Sequence, residues 1–281
     1  MAKVLFDISA TEETIDWQRC HLIMEVGQHI FSYAVLNGNK RILKIRSVEL
    51  DAANNHELAE MLDEFIASDS VLKEQMKERV VVYNFPESHL VPDTFFHIDI
   101  SRDLVELLYG DLNKGVILSE KVHGWNQYNL FRVPADIHNL FQRRFSNGKH
   151  WHYYSLWMEC WQKQTLPANE NISVVFYPSR VLVAVTNNKQ LQLLQSFSYQ
   201  AAEDVSYHLL NVCRQLSLSP ATVPILLAGM IDASSTVYTE IQKYFNHADL
   251  DVFPAAAATP ALQEYPSHFF SPLLKLAICV S

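Results

Sequence analysis

Short runs of β-branched and aromatic residues alternate with turn residues near the start of the chain. The runs cover residues 21–25, 29–36 and 41–48, and Asn37, Gly38 and Asn39 separate the last two. Asn-Gly between two such runs is a strong hairpin signal, because both residues tolerate a positive φ. The pattern therefore predicts three antiparallel strands.

A helix and a buried strand are predicted to follow. Five apolar residues recur every three or four positions, which is the spacing of one helical face. They are Leu58, Met61, Leu62, Phe65 and Ile66. Residues 79–85 form a nearly continuous apolar run, which is typical of a parallel strand that is buried on both faces.

The same order of elements is predicted again in the second half of the chain. Strands are predicted over residues 172–176, 181–185 and 191–197. An amphipathic helix follows, then an apolar strand over residues 223–228 and a helix at about 234–245. Strand-strand-strand-helix-strand therefore occurs twice, as a repeat of pattern rather than of sequence.

An inserted segment lies between the two series. Its predicted elements are a helix over 102–108, strands over 116–122 and 128–133, and helices over 135–145 and 153–162. A last helix is predicted near residues 269–278. The expected division is a first lobe core over 1–85, an α+β insert with connecting helices over 86–164, and a second lobe over 165–281.

Charge and hydropathy narrow the function classes. The 281 residues carry 22 Lys and Arg against 31 Asp and Glu, a formal net charge of −9. A duplex-binding protein normally presents a basic face, so no nucleic-acid partner is expected. No apolar stretch has membrane-spanning length, and the first residues contain no secretory signal, so we expect a cytoplasmic protein without a membrane partner.

Cysteine and histidine positions give no sign of a metal site. The four cysteines are Cys20, Cys160, Cys213 and Cys279. They are far apart in apolar stretches, which is typical of buried free thiols. His150 and His152 can share one face of a strand, but no third ligand lies at a suitable spacing, so no metal is expected.

Four stretches carry a resemblance to a known family. They are residues 22–36, 90–96, 131–134 and 268–277. On these the chain resembles family 3822 of the domains of unknown function, a group of bacterial proteins within the actin, sugar-kinase and heat-shock ATPase superfamily. The insert is similar to that of pilus-assembly and cell-division members. The resemblance implies a duplicated actin-like (ribonuclease H-like) ATPase fold, two lobes each β-β-β-α-β-α with an α+β insert, and no established activity.

An active member of that superfamily has an Asp-x-Gly turn after its first strand. The carboxylate holds hydrated Mg²⁺, and the backbone N–H groups of the turn meet the phosphates. The matching turn here contains Glu25, Gly27 and Gln28, so the glycine is kept and the acid is one methylene longer. The residues alone favour a plain hairpin turn with a solvated Glu25. If a nucleotide binds, Glu25, Gly27 and Gln28 are the cofactor-binding candidates.

Two further features of an active member fall in the second series. The second turn reads Tyr-Pro-Ser-Arg over residues 177–180, without acid or glycine, and proline removes a backbone donor. Arg180 is expected to be an exposed side chain. Where a glycine pair would lie against adenosine, one glycine remains, Gly229, and Asp232 is expected to cap the helix that follows. Two of the three features are therefore damaged.

Aromatic residues are concentrated in the last predicted helix of the insert. Tyr153, Trp157 and Trp161 are spaced four apart, with Tyr154 beside them. Such a stripe is typical of core packing, although Trp and Tyr also dominate partner-binding grooves. The other positions are mostly apolar, so burial is the prediction.

Three hypotheses about function follow. The first is a non-catalytic actin-like protein, with no catalytic residues and no cofactor, that binds a partner protein. The second is an ATP-binding ATPase or phosphotransferase with Mg²⁺ and atypical ligands, centred on Glu25 and Gly229. The third is an unrelated α/β binding protein in which the repeat is over-interpreted. Nucleotide binding separates the second from the others.

Overall fold

The structure is a computed structural model that describes residues 2–10, 15–110, 115–163, 169–253, 262 and 264–280. The chain divides into two compact units. The first comprises Met1–Gln164, Thr259–Ala261 and Leu276–Ser281. The second comprises Thr165–Ala258 and Leu262–Lys275.

A six-stranded sheet forms the centre of the first unit. Its strands are β1 (Lys3–Ser9), β2 (His21–Gly27), β3 (Ile30–Leu36), β4 (Ile42–Glu49), β5 (Glu78–Asn84) and, later in the chain, β9 (Lys149–His152). The order is β1-β4-β3-β2-β5-β9, in which β5 pairs in parallel with both β2 and β9 and the other neighbours are antiparallel. The three predicted strands form, and β1 adds a fourth antiparallel strand that the sequence analysis did not predict. Its side chains are mostly exposed, so its apolar pattern is weak.

Helices cover one face of this sheet. The helix α1 (Asn55–Ser68) buries the predicted stripe, including Leu58 and Leu62, and begins where the Asn54 side chain accepts the Glu57 N–H. It is followed by the short helix α2 (Ser70–Lys73). In β5, every residue from Val80 to Asn84 is buried, as expected of a central parallel strand.

A small subdomain is inserted after β5. It contains β6 (Ser88–Pro92), α3 (Ser101–Tyr109), β7 (Val116–Val122) and β8 (Gln127–Val133), and its antiparallel sheet has the order β6-β8-β7. Val91, Val105 and Leu130 form its core. The chain then continues through α4 (Ala135–Arg144), which packs against α1, and through β9 into α5 (Tyr153–Lys163).

A five-stranded sheet forms the centre of the second unit. Its elements are β10 (Asn171–Tyr177), β11 (Arg180–Asn187), β12 (Gln190–Ser198), α6 (Ala202–Gln215), β13 (Ile225–Gly229), α7 (Thr236–Gln242) and β14 (Ala248–Leu250). The order β12-β11-β10-β13-β14 matches β4-β3-β2-β5-β9, both in the order in which the strands follow along the chain and in their relative directions. The last helix is α8 (Ser271–Val280). Among the described residues, no helix combines the length and the apolar character that crossing a membrane requires.

A buried carboxylate connects the strands of the first sheet to α2. Asp69, which is 4% exposed, accepts hydrogen bonds through Oδ2 from the Tyr33 hydroxyl at 2.9 Å and from Arg46 Nη1 at 2.7 Å. Its other oxygen, Oδ1, accepts the backbone N–H groups of Val71 and Leu72 at the start of α2. Four donors therefore depend on one carboxylate that is almost without solvent.

Two of the four cysteines are bonded to each other. Cys160 in α5 and Cys279 in α8 form a disulfide across 119 residues, whereas Cys20 and Cys213 are buried and are not part of this bond. The prediction of free thiols is wrong for Cys160 and Cys279, because residues so far apart leave no signal in spacing. Structural disulfides are rare in the cytosol, so this bond does not favour the cytoplasmic location that the sequence indicated.

The aromatic stripe of α5 is buried, as predicted. Tyr153 and Tyr154 are almost fully inaccessible, and Trp157 and Trp161 are each 8% exposed. The ring centroids of the two tryptophans are 4.2 Å apart. Since α5 packs against β5, β7 and β9, its side chains belong to the core of the first unit rather than to an open groove.

Candidate nucleotide site

The first phosphate turn of the expected site lies between β2 and β3. Gly27 ends β2, Gln28 is exposed, and the turn is a plain hairpin as predicted. The prediction of a solvated Glu25 is wrong, because this side chain is 5% exposed. Its Oε1 accepts a hydrogen bond from the side-chain amide of Asn84 at 2.5 Å, on the neighbouring parallel strand. The carboxylate therefore lies inside the unit, bonded to β5.

The second turn, between β10 and β11, is covered by its own lobe. Tyr199 donates its backbone N–H to the Ser179 carbonyl oxygen at 3.1 Å and its hydroxyl to the Tyr177 carbonyl oxygen at 2.9 Å. Burial raises the pKa of the Tyr199 hydroxyl, which keeps it a donor. Pro178 has no N–H to offer. The turn therefore presents carbonyl oxygens to Tyr199, where an ATPase would present N–H groups to a phosphate.

Arg180 is buried beside this turn, which corrects the expectation of an exposed side chain. It is 7% exposed, and its Nη1 donates to Ser196 Oγ at 3.0 Å. The guanidinium carbon lies 4.6 Å from the centre of the Tyr177 ring, a cation–π contact. Arg180 therefore fastens β11 to β12 and to the start of the turn.

Gly229, the remaining glycine of the third feature, has a structural explanation. It ends β13 with φ +80°, and a Cβ atom there would lie 2.5 Å from the carbonyl oxygen of Phe176 on the adjacent strand. Met230 donates its N–H to the same oxygen at 2.9 Å. Close approach of two strands thus requires glycine at this position without any nucleotide.

Asp232 does not cap the following helix, so that prediction is wrong. Ser235 caps α7, since its Oγ accepts the Tyr238 N–H. Asp232 Oδ1 accepts the backbone N–H of Ser234 at 2.7 Å and its hydroxyl at 2.6 Å, and these bonds lower the pKa of the carboxyl group. The aspartate therefore closes a local turn one step before the helix.

The two histidines that shared a strand pattern do not form a metal site. His150 contacts the Tyr83 hydroxyl and the Phe145 carbonyl oxygen, and His152 Nε2 lies 3.0 Å from the carbonyl oxygen of Phe85. Within the described ranges, no group of three His, Cys, Asp or Glu side chains is placed to hold a metal ion. Both rings instead bridge neighbouring segments of the first unit.

A buried polar cluster around His152 was missed by the sequence analysis. Asn129 accepts the Ser88 hydroxyl at 2.6 Å, and its amide donates to Ser155 Oγ and to His152 Nδ1, both at 3.0 Å. Glu120 accepts the backbone N–H of His152 at 3.0 Å. These residues come from β6, β7, β8, β9 and α5, so no spacing in the sequence could reveal them. The hydrogen bonds join the insert to the first sheet.

Glu120 gives this cluster an expected pH dependence. Burial raises the pKa of Glu120 to about 7, and the hydrogen bonds from Ser155 and His152 only partly offset it. The folded protein then holds a proton that the unfolded chain, with a pKa near 4.5, releases earlier. Stability should therefore fall by about 1–3 kcal/mol as the pH rises from 4.5 to above 7. Urea unfolding at pH 5 and pH 8 measures this difference.

The Glu120→Gln variant is the matched control for this pH effect. Glutamine resembles the protonated carboxyl group and does not titrate, so this part of the pH dependence should disappear. Equal slopes of unfolding free energy against pH in the wild type and in Glu120→Gln would remove Glu120 as its source.

Comparison with known proteins supports the fold. A family model described as "Protein of unknown function (DUF3822)" matches residues 9–248. A Bacteroides thetaiotaomicron protein with an actin-like ATPase fold and unknown function is similar, with 16% identity, a TM-score of 0.75, and 93% of this chain and 98% of that chain covered. No curated protein matches the chain.

Two other solved structures are similar over nearly their whole length. One is the PilM-PilN type IV pilus biogenesis complex, at 10% identity and a TM-score of 0.56, with 93% of this chain and 98% of that chain covered. The other is the ethanolamine utilization protein EutJ from Carboxydothermus hydrogenoformans, at 8% identity and a TM-score of 0.50, covering 96% and 92%. At such identities the likeness concerns the fold, and the predicted actin-like ATPase fold is confirmed.

Proposed function

Because the chain belongs to this family of unknown function and has an actin-like ATPase fold, we propose that it is a non-catalytic member of that fold which binds a partner protein. The observation that carries the proposal is the second turn, which Tyr199 covers from within its own lobe. Phosphate binding by such a turn depends on free backbone N–H groups. This turn instead contains Pro178, which has no N–H, and two carbonyl oxygens that accept hydrogen bonds from Tyr199.

The residues kept from the ATPase pattern support the same proposal. Glu25 is bonded to Asn84 inside the first unit, and Gly229 is required by its contact with Phe176. Each therefore has a role in packing that needs no ligand. A glycine and an acid at the first turn are therefore compatible with a protein of this fold that binds no nucleotide.

Without a nucleotide, binding of a partner protein is the class of function that we propose for this fold. The PilM-PilN structure is, by its title, a complex in type IV pilus biogenesis, so a protein of this fold takes part in a protein complex there. For this chain we propose only the same class of function, which is the binding of a partner protein. We propose neither the same partner nor the same binding site.

Isothermal titration with Mg-ATP tests the proposal. We expect no measurable heat of binding at millimolar nucleotide, since the turn at residues 177–180 offers no phosphate site. The alternative, an ATP-binding ATPase or phosphotransferase that uses Glu25, Gly27, Gln28 and Gly229, predicts micromolar affinity that Glu25→Ala abolishes. That result would replace the proposal by the alternative. Glu25→Gln, which keeps the bond to Asn84, is the control for a folding defect.

A further inference from the structure

The inserted subdomain exposes a cluster of large hydrophobic side chains. Phe95, Ile98, Ile100, Leu107 and Leu108 are 70%, 66%, 49%, 81% and 43% exposed. They make up half of the exposed large hydrophobic side chains in the described part of the chain, within fourteen consecutive positions. Single exposed hydrophobic residues are ordinary, but a cluster of them marks an interaction surface. We call these five residues the α3 apolar surface.

The helix α3 uses different faces for the core and for this surface. Val105 is fully buried and packs with Val91 and Leu130 inside the insert. Leu104 is partly buried and packs against the edge of this core, and the exposed Ile100, just before α3, and Leu107 complete an i, i+4, i+7 spacing with it. This second apolar stripe has no covering element among the residues that the structure describes.

An acidic stripe runs beside the apolar one. Asp99, Asp103 and Glu106 also follow the i, i+4, i+7 spacing, each one position before a residue of the apolar stripe. All three are exposed, and none makes an ion pair with a described residue. The exposed Arg102 lies three positions after Asp99 and four before Glu106, so the surface combines an apolar stripe with a row whose net charge is negative.

We propose that the α3 apolar surface binds a basic amphipathic helix of a partner protein. The spacing of Ile100, Leu104 and Leu107 is that of one side of a helix–helix seam, and Asp103 lies where a flanking charge meets the partner. A partner helix with apolar residues at the same spacing and Lys or Arg along one side complements both stripes. This proposal rests on the proposed function, because it names the chemistry of the partner.

The charge of the surface disfavours two other occupants. A second copy of the chain would bring the same three carboxylates against each other, and like charges across an interface are costly. An anionic membrane would be repelled by the same row, since interfacial helices that bind such membranes carry Lys and Arg on their polar face. A basic helix is the occupant for which both stripes are attractive.

Fluorescence anisotropy with synthetic helical peptides tests the proposal. The probe is a labelled peptide with leucines at heptad positions a and d and lysines elsewhere, and its counterpart has glutamates in place of the lysines. Wild-type protein is expected to bind the lysine peptide saturably and to ignore the glutamate peptide. Leu107→Ser should weaken binding about tenfold or more, since a central apolar anchor is lost. Asp103→Lys should weaken it and should improve binding of the glutamate peptide.

A control variant and three contrary results complete this test. Tyr207→Ser, which changes a side chain that is 66% exposed on α6, should bind the lysine peptide like the wild type. Lysine-peptide binding that is absent, or indifferent to both Leu107→Ser and Asp103→Lys, overturns the proposal. Binding of phosphatidylglycerol vesicles that Leu107→Ser abolishes would also overturn it, in favour of a membrane. None of these outcomes depends on Mg-ATP, so the proposed function is tested separately.

Discussion

Replacing Trp157 by alanine is expected to lower the free energy of unfolding by about 3–5 kcal/mol or to yield insoluble protein. The indole is 8% exposed and its centroid lies 4.2 Å from that of Trp161, so its removal leaves a cavity beside a second large ring. A cavity of this size relaxes only in part. Urea unfolding monitored by circular dichroism measures the loss.

An exposed aromatic residue supplies the matched control for this substitution. Phe95 is 70% exposed, and Phe95→Ala should change the unfolding free energy by less than about 0.5 kcal/mol. A soluble Trp157→Ala protein with an unchanged midpoint would contradict the burial of α5 and make that helix a candidate partner surface.

Removal of the Asp69 carboxylate is expected to have a similar effect. In Asp69→Ala, the Tyr33 hydroxyl and the Arg46 guanidinium lose their shared acceptor, and two N–H groups at the start of α2 lose theirs. Arg46 is 25% exposed and keeps its ion pair with Asp7, so the loss falls mainly on the Tyr33 hydroxyl and the two N–H groups, at about 1–3 kcal/mol for each buried donor left without an acceptor. Thermal or urea unfolding measures this loss.

Asp69→Asn separates the charge from the hydrogen bonds. Asparagine keeps an oxygen for the N–H groups of Val71 and Leu72 but loses the charge that faces Arg46, so its destabilisation should be smaller. If the free energy of unfolding of Asp69→Ala lies within about 1 kcal/mol of the wild-type value, the carboxylate does not hold these elements together.

Local signals in the sequence predicted most of the elements. The tract after β3 forms the expected tight turn, in which Asn37 Oδ1 accepts the N–H groups of Asn39 and Arg41 at 3.0 Å. The positive φ falls on Lys40, at 61°, rather than on Gly38. Periodicity and turn chemistry act over a few residues, so one sequence suffices to predict the turn. It does not identify the residue that takes the positive φ.

The features that sequence analysis missed depend on residues distant in the chain. Glu25 is buried because Asn84 on another strand bonds to it, 59 residues later. Arg180 is buried beside Ser196, and Cys160 pairs with Cys279. Motif comparison showed that the second turn lacks an acid and a glycine, but the cover that Tyr199 forms over it is visible only in the fold.

Thermal unfolding in the presence of Mg-ATP tests the central claim, that this fold no longer holds a nucleotide. A ligand at 100 times its Kd stabilises a protein by about 2.7 kcal/mol, which raises the melting temperature by several degrees in a chain of this size. We predict the same melting temperature with and without millimolar Mg-ATP. A saturable rise of several degrees, absent in Glu25→Ala, would contradict the account.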